Sequence, residues 1–304
     1  MKTDPAHPLL VRPCDDGTGA YQRITAAEAG WRHLNFGARR LSRGDRWHHD
    51  TGGDEMCVVL LGGRCSIVSQ WGEWRTEGAR ANVFGGLPHA AYLPPHTAFE
   101  LAAESGTVDI AYGYTAGDEG RKGFFITPDD VDRHGIELRG GDNASRQINS
   151  ILPPGSPCHR LVCVEVYTPS GNWSSFPAHK HDQRTLAPDG KLAQASLEEV
   201  YFYQFEKPQG FALQKVYTGD RRLNEIVEAR TGDVVLVPRG YHPVVAGHGY
   251  HAYYLNFLAG SDQSLASAND PDHEWIYGTW KSKDSRLPLV TLQMNRQARE
   301  HETV

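Results

Sequence analysis

Basic residues are in deficit: 31 Lys and Arg stand against 37 Asp and Glu, for a net charge of -6, and no cationic block breaks the pattern. Nucleic-acid affinity draws on clustered cations that displace counterions from phosphates, so no nucleic-acid partner is expected. Long hydrophobic runs are also lacking. No segment approaches the ~20 apolar residues that cross a bilayer, and the opening MKTDPAHPLLVRP lacks the charged-then-apolar order of a secretory leader. The expectation is a soluble, cytoplasmic protein with no membrane partner. Cysteine is scarce and odd in number. Cys14, Cys57, Cys65, Cys158 and Cys163 include no C-x-x-C pair, which fits free thiols in a reducing compartment; Cys57, Cys65 and Cys163, inside strand-like runs, read as small buried side chains. Helical periodicity is confined to ITAAEAGW and the region near the C-terminus.

Short runs rich in Val, Tyr, Phe and Leu, punctuated by turn residues, fill the chain instead. Examples are MCVVLL (56–61), CSIVSQW (65–71), TVDIAYGY (107–114), RLVCVEVYT (160–168), EVYFYQF (199–205), DVVLVP (233–238) and HAYYLNFL (251–258). Many strands at regular spacing predict an all-β sandwich or barrel. A length of 304 residues is enough for two cores. The polar stretch ELRGGDNASRQINSILPPGSP, Glu137 to Pro157, reads as the linker between them, giving domains over 1–140 and 141–304. A weak internal repeat agrees. Each half runs acid, hairpin, Gly, strand, Pro, turn, strand, opening at Glu55 in the first half and at Glu199 in the second.

The second half carries H-x-H at His179 and His181, a glutamate leading an aromatic strand (LEEVYFYQF), and GDVVLVPRGYH ending in His242. On a strand, positions i and i+2 share a face, so both histidines of H-x-H can project into one barrel while Lys180 faces away. In this order the motifs resemble those of the cupin superfamily, whose jelly-roll barrels bind a divalent metal through three histidines and a glutamate. HKHD (179–182), PQGFALQKVYT (208–218), GDVVLVPRGYHPVVAGHGYHAYYLNFLAG (232–260) and NDPDHEWI (269–276) are similar, more narrowly, to the 5-deoxy-glucuronate isomerases of myo-inositol catabolism, and the likeness extends over nearly the whole chain.

The resemblance implies a bicupin of two jelly-roll barrels in tandem. It also implies a metal held by His179, His181, Glu199 and His242, with Glu199 preferred to Glu198 by its spacing to the turn that ends its strand. His248 and His251 are alternatives for the last ligand. The interval between His181 and Glu199 exceeds the usual cupin spacing, and Pro188-Asp189-Gly190 is expected to turn a flap there. In the first half, Trp47, His49, Glu55 and Ala98 fall at the four ligand positions, so that barrel is expected to be metal-free.

Zn, Mn, Fe, Co and Ni all suit three imidazoles and a carboxylate, and no organic cofactor is implied. A divalent cation polarises the carbonyl and neighbouring hydroxyl of an aldose, acidifying the C–H between them. The implied activity is conversion of 5-deoxy-D-glucuronate to 5-dehydro-2-deoxy-D-gluconate. Glu198, Tyr254 and Tyr203 are the candidates for carrying the proton. Arg184, Lys180, Lys215 and Arg222 are the candidates for the substrate carboxylate, since cations, and Arg bidentately, complement it. Competing readings are 4-deoxy-L-threo-5-hexulose-uronate ketol-isomerase, a cupin dioxygenase and a non-enzymatic sugar-binding cupin. A homodimer or higher homo-oligomer is the default assembly.

Overall fold

The computed structural model describes residues 1, 3–4, 6–78 and 80–302. ITAAEAGW condenses into a single helical turn, Ala26–Ala29, because Thr25 closes a capping box with Glu28 and Gly30 ends it at φ 70°. Longer helices occur at Pro128–His134 and Leu292–Glu302, and strands make up most of the rest.

The N-terminal half folds as two facing antiparallel sheets. One runs Phe124–Ile126, Ala90–Leu93, Asp54–Gly62, Thr107–Ala116, Asn35–Ser42, Ala20–Ile24 in spatial order; the other runs Arg46–Asp50, Ala98–Ala103, Cys65–Ser69, Gly72–Arg75. Met56, Val58, Leu60, Ile67, Leu101 and Ile110 fill the space between them. The C-terminal half repeats the plan. Leu192–Phe205 lies between Val234–Val237 and Ala252–Gly260, with Val162–Thr168, Arg146–Leu152 and Ile136–Arg139 beyond. That sheet faces Trp173–Ser174, Val244–Ala246, Phe211–Tyr217 and Asn224–Arg230 across Val166, Tyr201, Tyr203, Val216 and Val235.

The two large sheets then pack back to back. Because side chains alternate along a strand, Cys57, Val59 and Leu61 meet Val200, Phe202 and Phe257 in a third cluster, while the residues between them point into their own barrels. Each central strand thus serves two cores, which explains its nearly continuous apolar sequence. All five cysteines are unpaired, and only Cys14 is exposed.

The expected linker, Glu137 to Pro157, is corrected by the pairing. Ile136–Arg139 and Arg146–Leu152 are adjacent antiparallel strands, and the second also pairs with Val162–Thr168. Their polar residues find buried partners: Gln147 Nε2 donates to Val290 O at 2.6 Å and Asn149 Nδ2 to Glu165 Oε1 at 3.1 Å. A satisfied polar strand has the composition of a loop. The division at residue 140 is crossed from both ends as well. Leu10 and Val11 pair with Val235 and Val234, adding the chain's start to the C-terminal sheet. Asn295 bonds both the N–H and the carbonyl of Leu87, docking the last helix on the first half.

Two carboxylates clip the halves together in a matched way. Glu198 accepts from the backbone N–H groups of Arg32, His33 and Leu34 at 2.7, 2.9 and 2.8 Å. Glu55 accepts from those of His159, Arg160 and Leu161 at 2.7, 2.6 and 3.0 Å. Each carboxylate therefore meets three successive donors from the opposite half.

Candidate metal centre and active site

The H-x-H segment is pinned from both sides. His179 pairs with Asn269 on a short two-stranded ribbon, and the carbonyl of His181 accepts from Leu197 N at 2.8 Å. Asp182, the next residue, reaches the turn that presents His242: its carboxylate accepts from Gly240 N at 2.8 Å, Gln194 Nε2 at 3.1 Å and Lys180 Nζ at 3.1 Å. Gly240 has φ 86°, and a Cβ there would stand 2.4 Å from Tyr217 O, so the turn requires glycine. The aspartate of HKHD is thus a brace between two histidine-bearing segments.

The ring nitrogens of His179, His181 and His242 lie within 4.8 Å of one another. Glu199 enters from the neighbouring strand, its Oε2 at 2.9 Å from His181 Nε2 and 3.3 Å from His242 Nε2. His242 is fully buried, and its Nδ1 bonds Gly240 O at 2.9 Å. A carbonyl only accepts, so Nδ1 carries the proton and Nε2 presents a lone pair to the cluster. That Nε2 has no hydrogen-bond partner among the described residues. Burial holds His242 down at about 4 and His179 well below the usual imidazole range; neighbouring imidazoles lower both further, and at His242 the Glu199 carboxylate opposes the shift. Burial is the largest single influence on His181 and acts against its protonation, but the hydrogen bond to Glu199, the charge of that carboxylate and backbone hydrogen bonds together raise the net value. Three clustered imidazoles, that of His242 with an orphaned buried nitrogen, and one carboxylate form a donor set that fits a divalent cation, with the Gly240 carbonyl orienting the His242 ring from behind.

A narrow cavity leads to this cluster, walled by His179, His181, Glu199, Tyr201, Tyr254, Ser175, Asn256, Arg139 and Arg146. Tyr254 Oη lies 2.5 Å from Ser174 Oγ and 3.4 Å from Ser175 Oγ, and Ser175 Oγ is 3.1 Å from Tyr201 Oη. Burial raises the pKa of both phenols, keeping them protonated. Ser175 sits at φ 50°, a costly conformation for a non-glycine residue and one that clusters at functional sites. A wider cleft opens beside Trp31, Arg32 and His33, but it contains none of the histidines of the cluster, and its acids Glu198 and Asp182 are committed to backbone donors.

The other expected residues lie elsewhere. Glu198 is on the opposite face of its strand from Glu199, bound to the first half as described above. Tyr203 Oη donates to Gln214 Oε1 at 2.8 Å within the barrel, and Tyr203 is absent from the cavity wall. Arg184 pairs with Asp262 and Arg222 with Asp220, both on the exterior. Lys180 is held by Asp182, and Lys215 lies over the Tyr217 ring at 4.7 Å. The cavity's cations are Arg139 and Arg146. Both lie in the stretch read as a linker, where only the alternation of Arg146, Ile148 and Ser150 along one strand face hinted at them.

The interval between His181 and Glu199 is a β-hairpin, Asp182–Leu186 paired with the start of Leu192–Phe205, turning at Pro188-Asp189-Gly190. His248 and His251 stay outside the cluster; His251 Nδ1 accepts from Ser170 N at 3.1 Å. In the first half, the expected acid is corrected by one residue. Glu55 faces the other half, and Met56 occupies the inward position that corresponds to Glu199. A shift of one residue along a strand exchanges its faces. Trp47 fills the barrel against Phe99 and Tyr112, with ring centroids at 5.2 and 4.9 Å, while His48 and His49 are exposed.

Glu198→Gln is expected to lower stability by ~1–2 kcal/mol, the cost of weakening partly exposed charge-assisted hydrogen bonds, while retaining turnover. Urea unfolding and a kinetic assay test this together; a stable variant without turnover would return Glu198 to the chemistry.

Fold and site define a protein of the cupin fold with a cluster of three histidines in its second half. A mutant of Bacillus subtilis oxalate decarboxylase, only 12% identical, shares the fold at a TM-score of 0.58 over 88% of this chain and 81% of its own. The KduI/IolB family model matches residues 9–276, and the chain belongs to that family. The 5-deoxy-glucuronate isomerase of Geobacillus thermodenitrificans (strain NG80-2) is 40% identical over 259 residues, 85% of this chain and 91% of that one. The crystal structure of an IolB-like protein from Salmonella typhimurium LT2, 36% identical, covers 88% of this chain and 98% of its own at a TM-score of 0.82.

Proposed function

We propose that this protein is an aldose–ketose isomerase that converts 5-deoxy-D-glucuronate to 5-dehydro-2-deoxy-D-gluconate in inositol catabolism. The observation that carries this reading is the 40% identity, over 91% of its length, to a relative bearing that activity as its name. The cluster of three histidines within 4.8 Å, two of them on the wall of a cavity that also holds Glu199, Arg139 and Arg146, supplies a site suited to it.

His179, His181, Glu199 and His242 are the residues that would hold a divalent ion, and such an ion polarises the substrate's carbonyl and adjacent hydroxyl. The chain's own groups handle position and protons. Asp182 and Gly240 keep the two histidine-bearing segments in register. Isomerisation moves a hydrogen from C2 to C1 and a proton from O2 to O1. Among Glu198, Tyr203 and Tyr254, only Tyr254 opens onto the cavity, and its hydroxyl adjoins that of Ser174. Two adjoining hydroxyls, one giving a proton as the other accepts, suit the transfer between the oxygens. Since burial keeps Tyr254 protonated, it acts as a donor to the oxygen that gains charge.

The test is turnover of 5-deoxy-D-glucuronate beside 4-deoxy-L-threo-5-hexulose uronate, with product identified by NMR and oxygen uptake followed on iron-loaded protein. The expected result is ketose formation from the first substrate without oxygen consumption. Preference for the second uronate, or oxygen uptake coupled to product, would overturn the assignment.

A further inference from the structure

We propose that Arg146, with Arg139 facing it across the sheet, receives the carboxylate of the sugar acid. Arg146 thereby sets which end of the substrate meets the histidines. This rests on the isomerase reading above and extends it to the substrate's far end.

Arg146 is 5% exposed, yet the one hydrogen bond of its guanidinium among the described residues is a long one, Nη1 to Phe176 O at 3.3 Å, and no carboxylate there lies within ion-pair distance. The chain shows elsewhere how it supports a structural buried arginine. Arg80, 2% exposed, has Glu165 Oε2 at 2.9 Å, Tyr167 Oη at 2.8 Å, and the carbonyls of Leu60 and Val83 at 2.8 and 3.1 Å. Removing a guanidinium from water without a partner is costly, and nothing in the fold offsets that cost at Arg146.

The neighbourhood adds to the cost. Arg139 is the direct cross-strand partner of Arg146, an arrangement in which like charges oppose folding. Arg139 itself is satisfied by Glu137, which takes two hydrogen bonds of 2.8 Å. The unbalanced charge is therefore that of Arg146, and it lies on the wall of the cavity that holds His179, His181 and Glu199. An anion entering that cavity would neutralise it, and the planar fork of a guanidinium matches a carboxylate through two parallel bonds. The reacting carbons of the substrate lie at the end opposite its carboxylate, so anchoring the carboxylate at Arg146 leaves the aldehyde end for the histidines.

The test uses the full-length protein and Arg146→Met and Arg146→Lys. Two quantities are read: the ratio of kcat/KM for 5-deoxy-D-glucuronate to that for 5-deoxy-D-glucose, which has a hydroxymethyl group in place of the carboxylate, and the calorimetric affinity for D-glucuronate. In Arg146→Met the ratio is expected to fall about 100-fold, mostly through KM, with the neutral sugar unaffected and D-glucuronate affinity reduced by a similar factor. Arg146→Lys recovers part of the loss. The urea midpoint of Arg146→Met stays at or above that of the parent, which a structural arginine would not allow. Because the ratio is internal to each variant, it is independent of the fraction folded. An unchanged ratio, or unchanged D-glucuronate affinity, overturns the proposal. If the parent protein does not isomerise 5-deoxy-D-glucuronate, the isomerase reading fails, and the D-glucuronate affinities alone decide for or against Arg146.

Discussion

His242→Ala is expected to lose its metal and to lower kcat by more than ~100-fold, whereas His248→Ala and His251→Ala keep both. Loss of an outer-shell partner costs 10–100-fold in comparable sites, and His242 stands inside that shell. Its Nδ1 is fixed by Gly240 O at 2.9 Å, and its Nε2 is buried without a hydrogen-bond partner among the described residues, 3.3 Å from Glu199 Oε2. A water molecule or a side chain would ordinarily satisfy such a nitrogen; its place within 4.8 Å of the ring nitrogens of His179 and His181 is the basis for the expected loss. His251 is already committed to Ser170 N. Elemental analysis and initial rates on the three variants test the assignment, and retention of metal by His242→Ala with its loss from His251→Ala would reverse it.

Arg80→Met is expected to be the most damaging substitution outside the site, lowering unfolding free energy by ~3–5 kcal/mol. Arg80 comes from the first half and Glu165 from the second, and their side chains are 1% and 0% exposed. Removing the guanidinium strands a buried carboxylate and takes a donor from the carbonyl of Leu60, while Val83 O keeps the Tyr167 hydroxyl at 2.7 Å. Glu165 would retain Asn149 and Tyr253 as hydrogen-bond donors, so adding Glu165→Gln should recover part of the loss by removing the stranded charge. Urea unfolding of the single and double variants measures both effects. A change below ~1 kcal/mol for Arg80→Met would show that the pair contributes little to the contact between halves.

The sequence makes legible the part of the molecule governed by local strand geometry. H-x-H places His179 and His181 together because the side-chain period of an extended chain is two, and a glycine-bearing turn before His242 announces a sharp return. The all-β organisation and the hairpin at Pro188-Asp189-Gly190 follow from the same local rules. Choosing between adjacent acids is harder. Glu198 and Glu199 differ only in which face they occupy, and that face is set by two cores lying on opposite sides of one strand. The same one-residue ambiguity put Glu55 at an inward position that Met56 holds.

Long-range pairing was out of reach altogether. Arg184 and Arg222 look available near the histidines in the sequence, but Asp262 and Asp220 engage them on the surface. Arg146 looks like part of a polar connector, and only pairing with residues 163–167 and 136–139 reveals a strand that carries it to the cavity. Its role depends on the absence of a nearby acid in three dimensions, which no local pattern encodes.

The measurement closest to the central claim is divalent metal content of the purified protein, taken with turnover of 5-deoxy-D-glucuronate before chelation, after it, and after metal is restored. One ion per chain, lost together with activity and regained with it, is the predicted result. Full turnover by metal-free protein would contradict the account and leave His179, His181, Glu199 and His242 as a hydrogen-bonded cluster in search of another role.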